Sequence, residues 1–244
     1  MAHVNQPPAR GLRVGTWNVR EGWKGEGDDT GTHDVVRLIQ DLDLDVLALQ
    51  EVPFHGGRSP MLESIAGQTP LRHVAGHVLS QAMHVPGSAG IALAARLPLE
   101  DVNRVILPNP ELAANGLRSF DKGLMTARMP WQGRMIAVAG LHMVPFGRFG
   151  RRAEDPAFSH VWDRAGKEIE RVMLPLTFVG GDFNTPRRDL LGLPLEPVHS
   201  TGRDAVLHSE GARAVTLKTV ETFSDHPALV VEFALAWSRN HRAG

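Results

Sequence analysis

Apolar residues along this chain follow two periods. Residues 12–17 (LRVGTW) and 44–50 (LDVLALQ) read as strands, the second so nearly continuous in apolar character that both of its faces should be buried. Between them Val35, Val36, Ile39 and Leu42 recur at helical spacing, with Thr32 placed to cap that helix. Ser59-Pro60 opens a second helix running to about Ala66. From Gly90 onward strand patterns follow one another at 90–96, 100–107, 123–129 and 134–141, with Pro130–Gly133 as a hairpin turn. A third helix is expected over 156–172, followed by strands at 176–181, 203–209, 215–220 and 228–235. Many strands and few helices predict an α/β protein with packed, mainly antiparallel sheets and helices outside. With no repeat and no linker, one domain is expected over 12–237, flanked by tails at 1–11 and 238–244.

Composition narrows the chemistry. The chain has 244 residues, 42% of them hydrophobic, and no cysteine. It is long enough to hold a core without covalent staples, and thiolate metal sites and cysteine nucleophiles are excluded. Formal net charge is −1, with 26 Lys and Arg against 27 Asp and Glu. That balance lacks the basic excess common in dedicated nucleic-acid binders, although a nucleic-acid substrate stays possible. The N-terminus lacks a signal-peptide apolar core, and no apolar run nears the roughly 20 residues of a membrane helix. The expectation is a cytoplasmic protein without stable membrane association, with a monomer favoured.

Polar residues of one kind recur where apolar strands end. Asn18 follows LRVGTW, Glu51 follows LDVLALQ, His142 follows MIAVAGL, and Asp182 and Asn184 follow LTFVGG. Strand ends held by a rigid scaffold can converge on one rim. Glu51, Asp182 and Asp225 offer carboxylate oxygens, and Asn18 and Asn184 offer amide oxygens. This hard-ligand set suits Mg²⁺, with Mn²⁺ expected to substitute. His142 and His226 titrate near neutrality, and Asp204 is a candidate to orient His226. With no Cys and no G-x-S-x-G motif, the set favours metal-assisted hydrolysis over covalent catalysis.

Five segments, TWNVREG (16–22), LALQEV (47–52), GLHMVP (140–145), GGDFNTP (180–186) and FSDHPALVVEF (223–233), resemble in order the motifs of the endonuclease/exonuclease/phosphatase superfamily. The resemblance implies a four-layer α/β/β/α sandwich with two mainly antiparallel central sheets. It implies metal ligation by Glu51 with Asn18 and Asp225, water and phosphate positioning by Asp182 and Asn184, an Asp204–His226 pair, and His142 facing the phosphate or leaving group. Lys122 falls near a basic phosphate contact of that family. The chain departs from the abasic-site endonucleases in having no Tyr, His142 where they carry Tyr, and Arg20 where they carry an acid. It also has no acidic residue between Glu63 and Glu100 to partner His142.

Two loops carry further candidates. Residues 145–152 (PFGRFGRR) place Phe146 and Phe149 among Arg148, Arg151 and Arg152, and Arg148 is the candidate substrate contact, although a solvated basic loop is the plainer reading. His55 and Arg58 follow Glu51 closely enough to be weighed in the same way, whereas Asp28 and Asp29 read as surface charges. The expected function is hydrolysis of phosphodiester or phosphomonoester bonds by attack of water. The rival is an inactive module that binds phosphate ligands on the same fold.

Overall fold

The computed structural model describes residues 10–25 and 31–235. Asp28, Asp29 and tail residues 1–9 and 238–244 lie outside them. In chain order the strands begin with β1 (Leu12–Asn18), β2 (Val46–Phe54), β3 (His73–Gln81), β4 (Ser88–Ala95) and β5 (Glu100–Ile106). Next come β6 (Ala113–Ala114), β7 (Leu117–Arg118), β8 (Gly123–Trp131) and β9 (Arg134–His142). The series ends with β10 (Thr177–Asp182), β11 (Glu196–Ser200), β12 (Asp204–His208), β13 (Ala212–Val220) and β14 (Ala228–Leu235). The α-helices are α1 (Gly31–Leu42), α2 (Pro60–Gln68) and α3 (Ser159–Glu170).

Twelve of these strands build two six-stranded sheets, ordered β13-β14-β1-β2-β4-β3 and β11-β12-β10-β9-β8-β5, while β6 and β7 form a separate ribbon. Each large sheet has one parallel pair at its centre, β1 with β2 and β9 with β10. Its other neighbours are antiparallel. Strand period 2 sorts the side chains into layers. Leu12 and Val14 of β1, with Val46 and Ala48 of β2, point between the sheets and meet Val138, Phe178 and Val206 from the other side. Trp17, Leu47 and Leu49 point outward, under α1 and α2. α3 lays Val161, Trp162, Ala165 and Ile169 on the outer face of the second sheet. The result is the expected α/β/β/α sandwich.

Near the middle of the sandwich the two sheets come unusually close. Gly140 and Gly180 are register partners on β9 and β10. A Cβ on Gly180 would stand 3.0 Å from Thr16 Cβ and 3.2 Å from Ala48 Cβ, both on the facing sheet. Two residues further along β10 and β1, that proximity brings Asp182 and Asn18 together. Away from the site the same interlayer is filled by rings. Phe178 and Phe233, both fully buried, stand 4.8 Å apart. Phe178→Ala is expected to cost about 3–5 kcal/mol, read as a lower urea midpoint with little change in the slope of the unfolding curve.

Local readings differ from the structure in four places. Thr32 lies inside α1, which already includes Gly31, so it does not cap the helix. The helix expected from Pro156 opens as a 3-10 turn, Pro156–Phe158, with the Asp155 side chain accepting from the Ala157 N–H, before α3 proper begins at Ser159. Glu51 does not follow its strand but sits within β2. β3 and β11, both edge strands, have no counterpart in the apolar pattern.

Candidate active site

β9 and β10 end at His142 and Asp182, which line one cavity of about 540 Å³, while Asn18 at the end of β1 is buried directly behind Asp182. Glu51 reaches it by a different device. Pairing between β2 and β4 slips between Gln50 and Val52, so Glu51 is the extra residue of a β-bulge, with φ of 54°. A bulge turns a side chain out of its normal alternation, and here it lets Glu51 line the cavity. The left-handed backbone at a non-glycine residue is a strain that the surrounding sheet must hold in place.

Asp182 is the hub. Its Oδ2 accepts from Asn18 Nδ2 at 3.2 Å, across the two sheets, and lies 3.5 Å from His142 Nε2 and 3.8 Å from His226 Nε2. Its Oδ1 accepts from the Asn184 backbone N–H at 2.9 Å. Asn184, itself at φ 53°, donates from Nδ2 to the Met143 carbonyl at 2.9 Å, which fixes its amide at the rim. Burial pushes the Asp182 carboxyl up to about 6, with the nearby Asp204 charge adding to it and His226 and Lys122 opposing. Asn18 has both ends of its amide occupied, since its Oδ1 accepts from the Arg20 N–H at 3.0 Å.

His142 is neutral. Burial, then the charges of Lys122 and His226, hold its imidazole well below its ordinary value. Lys122 Nζ donates to His142 Nε2 at 2.8 Å, so that nitrogen is an acceptor and its 3.8 Å approach to Glu51 Oε1 is not an ion pair. The nearest polar partner of His142 is therefore Lys122 and not a mid-chain carboxylate. Its own ammonium is shifted down by burial, with Glu51 and Asp182 opposing that shift.

His226 behaves in the opposite way. Its Nδ1 lies 2.9 Å from both oxygens of Asp204. Burial alone would lower its pKa. The Asp204 hydrogen bond and the charges of Asp182 and Asp204 outweigh burial and leave it raised. Asp204 is braced in turn: Thr201 Oγ1 donates to its carboxylate, and the buried Arg188 donates to its carbonyl, to Ser200 Oγ and to the Thr185 carbonyl. Asp182, Asp204 and His226 are close enough together to hold a metal ion. The Asp204 oxygens are also engaged by His226.

Asp225 lines the cavity beside His226 but is half exposed and faces cations, with Arg20 Nε at 3.8 Å and Arg203 Nη2 at 3.6 Å. Arg148 lines the cavity. Phe146 and Phe149 beside it are buried, Phe146 packing on Phe158, so Phe146 is core rather than a stacking platform. His55 and Arg58 close a tight turn outside the cavity lining, and Arg58 pairs with Glu63.

One polar group was invisible in the sequence. Glu21, at φ 59° in the turn after Asn18, buries its carboxylate under the β3–β4 loop and accepts N–H groups from Met83 and His84 at 2.6 Å and Val85 at 3.1 Å. His84 stacks on Trp23 at 4.7 Å, and the Arg20 guanidinium lies 4.5 Å from the same ring. This clamp holds Met83 and His84 at the cavity wall. Only the acidic residue in TWNVREG pointed to it, with nothing to tell it from a surface charge.

The family model described as "Endonuclease/Exonuclease/phosphatase family" matches residues 15–226. The chain belongs to this family. Among solved structures it is similar to an endonuclease/exonuclease/phosphatase from Beutenbergia cavernae, with 17% identity over 93% of this chain and 72% of that one and a TM-score of 0.69. The human Nocturnin catalytic domain with bound sulfate anion matches with 18% identity over 93% and 94% of the two chains, TM-score 0.65. Sphingomyelinase C from Streptomyces griseocarneus matches with 15% identity over 91% and 99%, TM-score 0.59. At these identities the likeness is one of fold. No curated protein matches the chain significantly by sequence. Family members share hydrolysis of phosphoester bonds and a divalent metal, while the fold itself does not select a substrate.

Proposed function

We propose that this protein is a Mg²⁺-dependent phosphoesterase in which Asp182 activates water against a phosphodiester or phosphomonoester. The observation that carries the reading is the meeting at Asp182 Oδ2, at 3.2–3.8 Å, of Asn18 from the facing sheet with His142 and His226, and Asp182 and both histidines line one cavity.

The donor set fits a hard divalent cation. Glu51 and Asp182 are oxygen donors, and the Asp182 carboxyl is held up near 6 in a buried setting that a cation would relieve. Glu51 and Asp182 would hold it, with Asn18 fixing the Asp182 rotamer and Asp225 reaching in from the rim. When bound, Mg²⁺ supplies polarisation of a phosphoryl oxygen and neutralises developing charge. Every other contribution is the protein's. The Asp182 carboxylate accepts a proton from the attacking water, and the Asn184 N–H and the Asn18 amide keep it aimed. A water set to one side of the 3.8 Å line between Asp182 Oδ2 and His226 Nε2 can contact both. His226, whose protonated form Asp204 favours, donates to a phosphoryl oxygen, and Lys122 and His142 line the side from which the leaving oxygen departs. Sulfate bound to the Nocturnin domain is in keeping with an anion site on this fold.

The test is hydrolysis of bis-p-nitrophenyl phosphate with Mg²⁺ or Mn²⁺, alongside calorimetric titration with Mn²⁺. Glu51→Gln is expected to weaken Mn²⁺ binding by more than about 10-fold, since even outer-shell partners cost 10–100-fold, and to abolish turnover at micromolar metal. Metal binding without turnover on a broad phosphoester panel would instead favour the phosphate-binding module. A cytoplasmic, monomeric enzyme without stable membrane association, acting on a phosphate ester that includes nucleic acid among its candidates, completes the proposal. Among the described residues no helix is long and apolar enough to cross a membrane.

A further inference from the structure

Five cationic side chains, Arg20, Arg118, Lys122, Arg148 and Arg203, line the active-site cavity of a chain with a formal net charge of −1. Three of them are matched. Arg20 and Arg203 share Asp225, and Lys122 contacts His142 and is influenced by the Glu51 and Asp182 charges. Arg118 and Arg148 are left, both exposed, and no carboxylate among the described residues pairs with either.

The chain builds a dedicated support for Arg118. It lies on the β6–β7 ribbon, which joins neither large sheet. A ribbon with two residue pairs, Ala113 with Arg118 and Ala114 with Leu117, is not stable alone. Two features hold it. Asn115 and Gly116 both have positive φ, 52° and 77°, as the tightest hairpin turns require. At its base Ser119 Oγ donates to Asn109 Oδ1 at 2.6 Å and accepts from the Leu112 N–H at 2.9 Å, while Asn109 Nδ2 donates to Asp121 at 2.9 Å. β6 also rests on the Phe146–Phe149 turn that carries Arg148. Both guanidinium groups line the same cavity and are exposed to it, and guanidinium forks suit phosphate oxygens.

We infer that the substrate carries a second phosphate beside the scissile one, and that Arg118 and Arg148 hold it at the lip of the cavity. This rests on the phosphoesterase reading above. The second phosphate has two sources, the next phosphodiester of a nucleic-acid strand or a further phosphate on a small nucleotide. The floor of the cavity handles the reacting group, while the lip selects substrates by a charge that ordinary model diesters lack.

The experiment is competition against bis-p-nitrophenyl phosphate hydrolysis by two matched pairs: 5′-phosphorylated dithymidine phosphate with its unphosphorylated form, and adenosine 3′,5′-bisphosphate with AMP. In at least one pair the member with the extra phosphate should inhibit at least about 10-fold more tightly, as charge-assisted hydrogen bonds predict. The pair that shows the preference identifies the source. In the Arg118→Ala/Arg148→Ala variant the ratio should fall to within twofold, and in Arg118→Lys/Arg148→Lys it should be partly retained. Equal inhibition within both pairs in the wild type, or a preference that survives the alanine variant, overturns the inference. Calorimetry with the same four nucleotides reads the ratio without turnover. A protein that cleaves bis-p-nitrophenyl phosphate but shows no preference loses the second subsite and keeps the hydrolase reading. An inert protein that still prefers the extra phosphate shows the reverse.

Discussion

Asp182→Asn is expected to lower turnover of bis-p-nitrophenyl phosphate by at least about 10³-fold, a general base and a charge-bearing oxygen being lost together, while making the chelator-treated protein more stable. The second half follows from the direction of its shift. The Asp182 carboxyl is pushed up from 3.8 to about 6 by burial. The native state therefore favours the protonated form, and stability linked to this group is gained as pH falls through 6 toward 3.8. Above pH 6 it is a constant penalty, on the order of 3 kcal/mol before relaxation. Asn keeps an acceptor for the Asn184 N–H and removes the charge. At pH 7.5 in EDTA the variant should gain about 1–2 kcal/mol, or roughly 2–6 °C in Tm for a chain of this size. Added Mg²⁺ should then raise the Tm of the wild type and leave the variant unmoved. A variant that melts below wild type in EDTA would mean that the carboxylate is not the source of strain.

That trade of stability for function bears on what could be read from the sequence. β1, β2, β9 and β10 are largely apolar because both faces of the central strands are covered, and the candidate site residues Asn18, Glu51, His142 and Asp182 follow those apolar stretches. β3 (HVAGHVLSQ) and β11 (EPVHS) are half-exposed edges where no face needs to be consistently apolar, so no period marks them. Glu51 was legible as a residue but not as a bulge, since the slip is set by pairing with β4. The missing carboxylate partner of His142 was legible as a gap, but the Lys122 contact to that imidazole was not. Glu21, Arg118 and Arg188 work through backbone groups or neighbours far away in sequence, and nothing local distinguishes them from solvated charges. Asp225, read as a metal ligand, also stands beside Arg20 and Arg203, a setting that its own SDHP segment does not specify.

The Asp204–His226 pair carries the second large expectation. Asp204→Asn should reduce kcat by about 10²–10⁴-fold, the range seen when a histidine loses its carboxylate partner and with it the correct tautomer. In the native protein Nδ1–H points at Asp204 and leaves Nε2–H toward the site. An Asn at 204 can offer an N–H to Nδ1, which holds the ring neutral. The pH profile separates this from simple misfolding. The His226 pKa is raised because the Asp204 hydrogen bond, with the Asp182 and Asp204 charges, overcomes burial. A raised folded pKa means that the protonated ring and its stabilising pairing are complete below 6.5 and lost as pH rises through the folded value. The alkaline limb of kcat should therefore move to lower pH in Asp204→Asn. His226→Gln should cost a similar factor, and Asp204→Asn on top of it should cost little more, because groups acting as a unit are not additive. If the two losses multiplied in the double variant, Asp204 would be acting on the substrate or a metal directly and not through the imidazole.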